Sequence, residues 1–224
     1  MERLGDAKMA TANEEIVLHY SVASRSFTAL WMLEELGLAC RLVDRSLFTG
    51  ANMSPDYLRI NPMGRVPTLQ IGDVVVSENP AIGIYLADRY GYGTLAPKIE
   101  DPDRGAYLKW MVYSTAVLEP AVAVDGARLD YGAKGPPANW GFDAGDAKDV
   151  ARLLVRALEG RDYLLGARFS AADVVLGGSL SVRLFTRMIP PEPALLAYND
   201  RLEARPARQR AGAITWPASL FPAA

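Results

Sequence analysis

Two short segments carry residue types that can hold and activate a polar ligand. In Ser24-Arg25-Ser26 two hydroxyls flank a guanidinium. Donors and positive charge therefore converge on one spot, which favours an anion. In Val66-Pro67, followed by Ser77-Glu78-Asn79-Pro80, a proline entering a strand can hold a cis bond and leave the Val66 backbone free to pair with an extended, peptide-like ligand. Glu78 offers an acceptor for an amine. Asn79 offers a helix cap whose neighbouring N–H groups can hold a carboxylate. The same residues also read as a capped helix beside a solvated arginine and as a turn proline before an N-cap, so neither segment decides a function alone.

Other chemistry is scarce. The 224 residues include one cysteine, Cys40, and one histidine, His19. That count excludes a Cys/His zinc cluster, a CxxC redox pair, an intramolecular disulfide framework and a multi-histidine centre. No metal is expected, and any catalysis must come from hydroxyls, carboxylates, arginines or a borrowed group. His19 falls inside an apolar run and Cys40 at the start of another, so both read as structural, Cys40 as a buried inert thiol. With 24 Lys and Arg against 26 Asp and Glu, the net charge is -2, which argues against a nucleic-acid surface. Half of the residues are apolar and the mean hydropathy is +0.04, as in a water-soluble globular chain of one to two domains. No apolar run approaches the ~20 residues of a membrane span, and the charged opening through Glu15 lacks a signal peptide's apolar region. These features predict a cytoplasmic protein with a disordered tail over 1–14.

The elements that must position these residues fall into two unlike halves. Ile16–Tyr20 is an apolar run suited to a buried strand. A turn over 22–26 opens a helix to about Leu36, with Phe27, Leu30, Trp31 and Met32 as its buried stripe. Gly37 ends that helix, and a second strand spans 40–44. Ser54-Pro55 starts a short helix to Ile60. Strands Thr68–Ile71 and 74–76 flank the two-residue turn Gly72-Asp73, and Asn79-Pro80 caps a helix to about Tyr90. The order over 15–91 is thus βαβ followed by ββα. A linker over 92–102 leads to helical patterns near 103–124, 146–159, 171–188 and 192–204, with Pro120 kinking or ending the first. Ser170-Ala171-Ala172-Asp173 reads as a capping box with Asp in the usual Glu position. The Gly/Pro-rich stretch 126–145 is long enough for a lid, the all-helical half closes near 211, and 212–224 is a tail. On the first long helix Tyr107, Trp110, Met111, Tyr113 and Ser114 could line an apolar pocket, although such a stripe is more often core, with Trp110 the first core candidate and Tyr113 the first pocket candidate.

Taken together, the pieces resemble the cytosolic glutathione S-transferases over 16–211. The resemblance is carried by Ser24-Arg25-Ser26-Phe27 with Leu30-Trp31-Met32-Leu33-Glu34-Glu35-Leu36-Gly37, by Asn61-Pro62-Met63-Gly64-Arg65-Val66-Pro67-Thr68-Leu69, and by Glu78-Asn79-Pro80-Ala81-Ile82. Phe169-Ser170-Ala171-Ala172-Asp173 and Arg205-Pro206-Ala207 match the helical half, and the first stretch is most similar to the serine-type, Gtt-like branch of bacteria and fungi. The resemblance implies a thioredoxin-like α/β domain carrying a glutathione site, followed by an all-α domain contributing the electrophile pocket. It implies that the Val66 backbone binds the cysteinyl unit with Pro67 cis, that Glu78 and Asn79 hold the γ-glutamyl end, and that Arg65 reaches a glutathione carboxylate. Asn79 departs from the family's usual Ser, and no cysteine stands near Arg25 as in the cysteine-type classes. Ser24 and Ser26 are the candidates for activating the thiol, with Tyr20 behind them and Arg25 as the adjacent charge. The implied protein is a homodimeric detoxification enzyme that attacks a small hydrophobic electrophile. Ether cleavage, dehalogenation, isomerisation, peroxide reduction and non-catalytic ligand binding are its alternatives.

Overall fold

The computed structural model describes residues 14–127 and 147–217. The lid expected at 126–145 lies outside them from 128 onward, as do most of both expected tails. Strand β1 (Ile16–Tyr20) buries Ile16, Val17, Leu18 and His19. Apolar on both faces, it occupies the middle of a four-stranded sheet of order β2-β1-β3-β4. Strand β2 (Arg41–Asp44) runs parallel to it, with Val17 opposite Arg41 and Tyr20 opposite Asp44. Strand β3 (Thr68–Ile71) pairs antiparallel on the other side, Leu18 facing Leu69, and β4 (Val74–Ser77) closes the edge. Their hairpin turns at Gly72, whose φ of +57° suits a residue without a Cβ. A parallel β1–β2 pair needs a crossover, supplied by helix α1 (Ser26–Glu35). The carboxyl end of β1 and the start of α1 therefore meet in one loop, residues 21–25.

Every α1 residue from Ser26 to Leu33 is buried. A helix buried all round needs cover on both sides. The sheet provides one cover, and α7 (Ala171–Phe185) and α9 (Pro206–Thr215) provide the other. A turn of 3-10 helix at Ala51–Met53 and α2 (Pro55–Leu58) precede the Val66 segment, and α3 (Asn79–Tyr90) completes the thioredoxin-like half.

The helical half begins with α4 (Arg104–Tyr113), continues through a π-helical turn at Ser114–Leu118, and resumes as α5 (Glu119–Ala127). Pro120 therefore does not end the helix. Its ring would collide with the carbonyl four residues back and it has no N–H to donate. The widened turn sits where that conflict falls. Helices α6 (Ala147–Ala157), α7, α8 (Pro193–Glu203) and α9 follow. The capping box of α7 is complete. The fully buried Asp173 carboxylate accepts from the Ser170 N–H at 2.9 Å, the Ser170 hydroxyl at 3.0 Å, the Leu164 N–H at 2.9 Å and the Tyr198 hydroxyl at 2.9 Å. Helix α9 runs beyond 211 to Thr215. Its small and charged residues give a weak apolar period, which hides it from a periodicity reading.

The two halves are packed through named contacts. Arg205, at the start of α9, reaches Glu35 of α1 with Nε at 2.6 Å and Nη2 at 2.8 Å, while the Trp31 indole N–H donates to the same carboxylate at 2.8 Å. On α7 the missing side chain of Gly178 matters, because a Cβ there would lie 2.8 Å from Thr28 Oγ1 of α1. Tyr107, Trp110 and Met111 are core rather than pocket, with 0 %, 4 % and 0 % exposure. Met111 Cε lies against Gly83 of α3, and Trp110 meets Tyr113 edge-on at 5.3 Å. That face of α4 is committed to holding α3 and α7.

Candidate active site

Loop 21–25 is built by local hydrogen bonds and by contacts from further along the chain. Ala23 adopts φ +50°, a conformation that costs a non-glycine residue on the order of 1 kcal/mol. Its N–H is held by the Thr215 carbonyl of α9 at 2.8 Å. Ser24 Oγ then donates to the Ser21 carbonyl at 2.7 Å, accepts the Ser26 N–H at 3.1 Å, and lies 2.9 Å from Ser26 Oγ. Ser26 Oγ in turn accepts the Ser21 N–H at 3.2 Å.

The two serines are not equivalent. Ser24 is partly exposed and lines a cavity of about 930 Å3. Ser26 has 0 % exposure and lies behind it. The helix N–H groups at the start of α1 are used locally: those of Ser26, Phe27 and Thr28 bond to Ser24 Oγ, the Ser24 carbonyl and the Arg25 carbonyl. The dipole remains, but the donors do not. Tyr20 is packed against the core and is not among the cavity's lining residues. His19 is buried under Arg45, whose Nε donates to its Nδ1 at 3.3 Å. Cys40 is half-buried, and burial with the nearby Glu34 carboxylate pushes its thiol up to about 11.

A second, smaller cleft of about 220 Å3 adjoins the cavity and is lined by Arg65, Val66, Pro67, Glu78 and Asn79 among others. The Val66–Pro67 peptide is cis. Its loop is braced from below, where the Arg65 carbonyl accepts from the Tyr57 hydroxyl and from Asn61 Nδ2 at 3.0 Å. Val66 itself makes no backbone hydrogen bond among the described residues. Glu78 is exposed, holds φ +67° and occupies the N-cap position of α3. Asn79 is therefore inside the helix, not its cap. Its Nδ2 donates to the Arg25 carbonyl at 3.0 Å, which leaves Oδ1 buried with no partner among the described residues. A buried acceptor without a donor costs on the order of 1–3 kcal/mol until one arrives. The cleft thus presents one unpaired backbone unit, one unpaired amide oxygen, the Glu78 carboxylate and the Arg65 guanidinium, which fits an elongated ligand with amide, amine and carboxylate groups.

Of the five residues expected to line an electrophile pocket, only Ser114 reaches the large cavity. Its walls come from one turn further along the chain: Thr115, Glu119, Pro120 and Val122 on one side, and Ser179, Val182, Arg183 and Trp216 on the other. Glu119 was missed from sequence, yet it joins the halves through an ion pair with Arg25. Arg183 was missed as well. The available signal was an isolated charge within each apolar helix, since such charges are seldom buried unpaired. Among the described residues no cluster of three or more His, Cys, Asp or Glu side chains is arranged to hold a metal, and no helix is long and apolar enough to cross a membrane.

The chain is similar to known proteins over most of its length. A family model described as "Glutathione S-transferase, N-terminal domain" matches residues 16–88. The theta class glutathione S-transferase of Xanthomonas axonopodis pv. citri, solved with glutathione bound, is 31 % identical with TM-score 0.65, covering 89 % of this chain and 97 % of that one. A glutathione transferase from Methylococcus capsulatus str. Bath is 30 % identical with TM-score 0.70, covering 88 % and 96 %. Glutathione S-transferase 3 of Zea mays is 28 % identical over 201 residues, covering 80 % of this chain and 84 % of the maize protein.

Proposed function

The chain belongs to the glutathione S-transferase family, and from that premise we propose that it is a serine-type enzyme which binds glutathione in the smaller cleft and activates its thiol with Ser24. The serine-type, Gtt-like assignment rests on the Ser24-Arg25-Ser26-Phe27 segment. The observation that carries the functional reading is the position of Ser24, the one loop hydroxyl that is both exposed to the large cavity and close to the cleft of Val66 and Asn79. Val66 pairs with the cysteinyl backbone, the free Asn79 Oδ1 and the Glu78 carboxylate receive the γ-glutamyl amine, and Arg65 receives the glycyl carboxylate. Pro67 fixes the direction of the Val66 backbone.

A free thiol with pKa ~8.5 is only a few per cent thiolate at neutral pH. A hydrogen bond to a charged group contributes about 1.5–3 kcal/mol, and each pKa unit corresponds to about 1.4 kcal/mol. One hydroxyl can therefore lower the bound thiol by one to two units. For this, Ser24 turns its proton from the Ser21 carbonyl to the sulfur while still accepting the Ser26 N–H. Arg25 adds little to that field, because its side chain is 59 % exposed and its charge is already opposed by Glu119. The thiolate then attacks an electrophilic carbon in the larger cavity, and no protein base is required for the attack. The proposed enzyme is a cytoplasmic homodimer acting in detoxification.

The test is a titration of thiolate absorbance in the glutathione complex. Ser24→Ala is expected to raise the bound thiol's pKa by about one to two units and to lower turnover with an aryl halide about tenfold to a hundredfold at neutral pH. An unchanged pKa would remove Ser24 from the role.

A further inference from the structure

In the wall of the large cavity, two guanidiniums are set against one carboxylate. The Glu119 side chain, 17 % exposed, is ion-paired with Arg25, accepts from the Ser179 hydroxyl at 3.3 Å and lies 3.5 Å from Arg183 Nη2. Arg183 Nη1 also donates to the Ser179 carbonyl at 3.1 Å. Both arginines line the cavity. A guanidinium has five N–H donors, and the contacts above engage one nitrogen of Arg25 and two of Arg183. Among the described residues the cluster carries an excess of one positive charge, and several of its donors have no protein partner. Burial holds the Arg183 guanidinium below its usual range and Arg25 adds to that effect, with Glu119 opposing it. The rest of the wall includes Phe27, Val122, Val182, Met188 and Trp216. A partly desolvated cation beside apolar side chains matches an apolar body that ends in an anion.

We propose that the second substrate of this enzyme is an electrophile bearing a carboxylate, seated with the carboxylate on Arg183 and the open edge of Arg25 and with its apolar body against Phe27 and Val182. The inference rests on the transferase reading above and makes its small hydrophobic electrophile an acidic one. Arg183 is then the residue that sets specificity, while Glu119 holds the two guanidiniums side by side and limits their mutual repulsion. Arg25, Thr115 and Glu119 border both spaces, whereas Arg183, Val182 and Phe27 line the larger cavity and not the smaller cleft, so the Arg183 side of the wall is left to the second substrate.

The test pairs 4-chloro-3-nitrobenzoate with its methyl ester, which have the same ring and leaving group but differ in charge. In either compound the glutathione sulfur forms a bond to the chlorine-bearing carbon, chloride departs with the electron pair of the C–Cl bond, and the thiol proton passes to solvent. Binding is measured first by calorimetric titration into the glutathione-loaded protein, and turnover second. The acid is expected to bind at least tenfold more tightly than the ester. That preference should shrink as salt is raised, fall about tenfold in Arg183→Gln, and largely return in Arg183→Lys. Equal binding of acid and ester, or a preference unchanged in Arg183→Gln, overturns the proposal. So does a variant whose loss appears in the affinity for glutathione instead of the acid. An acid preference that follows Arg183 without turnover of either compound supports the binding site and counts against the transferase reading alone.

Discussion

Ser24 and Ser26 differ by two positions in sequence and by a full change of environment in space. The Ser26 hydroxyl is sealed behind the loop, where it accepts the Ser21 N–H. Its replacement by Ala leaves that buried donor unpaired, so Ser26→Ala is expected to cost about 1–3 kcal/mol of stability in urea titration without the thiol pKa shift that marks Ser24→Ala. His19 makes a second residue-level prediction. Burial, reinforced by the Arg45 guanidinium, holds its imidazole below the usual pKa of about 6.5. The unfolded chain therefore binds a proton that the folded chain resists, and stability is full above about pH 6.5 and declines as the pH falls through that value. Melting curves between pH 7.5 and 5 should show a smaller acid-side decline in His19→Gln than in the parent. Equal slopes would mean that His19 is not the group responsible.

At the scale of elements, helix α7 approaches α1 closely enough that a glycine is required. Gly178 faces Thr28, and a Cβ would lie 2.8 Å from a short β-branched side chain that cannot swing away. Gly178→Ala is expected to destabilise by about 1–3 kcal/mol and to disturb the cavity wall that both residues line. Gly105, at which an added Cβ meets nothing within 4 Å, serves as the control, and there Ala should be neutral or mildly stabilising because it favours the α4 helix. The strands and most helix starts were legible because they have local causes: unbroken apolar runs, Gly72-Asp73, Ser54-Pro55 and the Ser170–Asp173 box. The α4–α5 junction was not. A proline in an apolar helix predicts a break, and only the packing around residues 114–118 selects a widened turn in its place.

The molecule as a whole depends on contacts between its halves. Arg205 clamps Glu35 in a two-pronged ion pair whose carboxylate side is 8 % exposed, and its guanidinium lies 3.4 Å over the Phe169 ring. Removing it strands a nearly buried carboxylate. Arg205→Ala is therefore expected to cost about 1–3 kcal/mol in urea titration. Because α9 also holds Ala23 through Thr215, the same variant should loosen the Ser24 loop and lower glutathione turnover more than the loss of folded protein explains. Arg205→Lys should recover only part of both, since an ammonium cannot make the paired contact.

What the sequence by itself determined were the features with local causes. Ile16–Tyr20 is apolar enough to be the central strand, the serines follow it at the only place where a parallel crossover can begin, and Val66-Pro67 and Glu78-Asn79 lie at strand ends by their own turn chemistry. The scarcity of cysteine and histidine likewise required any thiol chemistry to come from a ligand. Tertiary structure decided which hydroxyl meets the cavity, because that depends on a hydrogen bond from Ala23 to Thr215, 192 positions away. It also turned the aromatic stripe of α4 into core and brought Glu119 and Arg183 into the site. Helical periodicity says which residues share a face, but the neighbours that cover that face come from elsewhere in the chain.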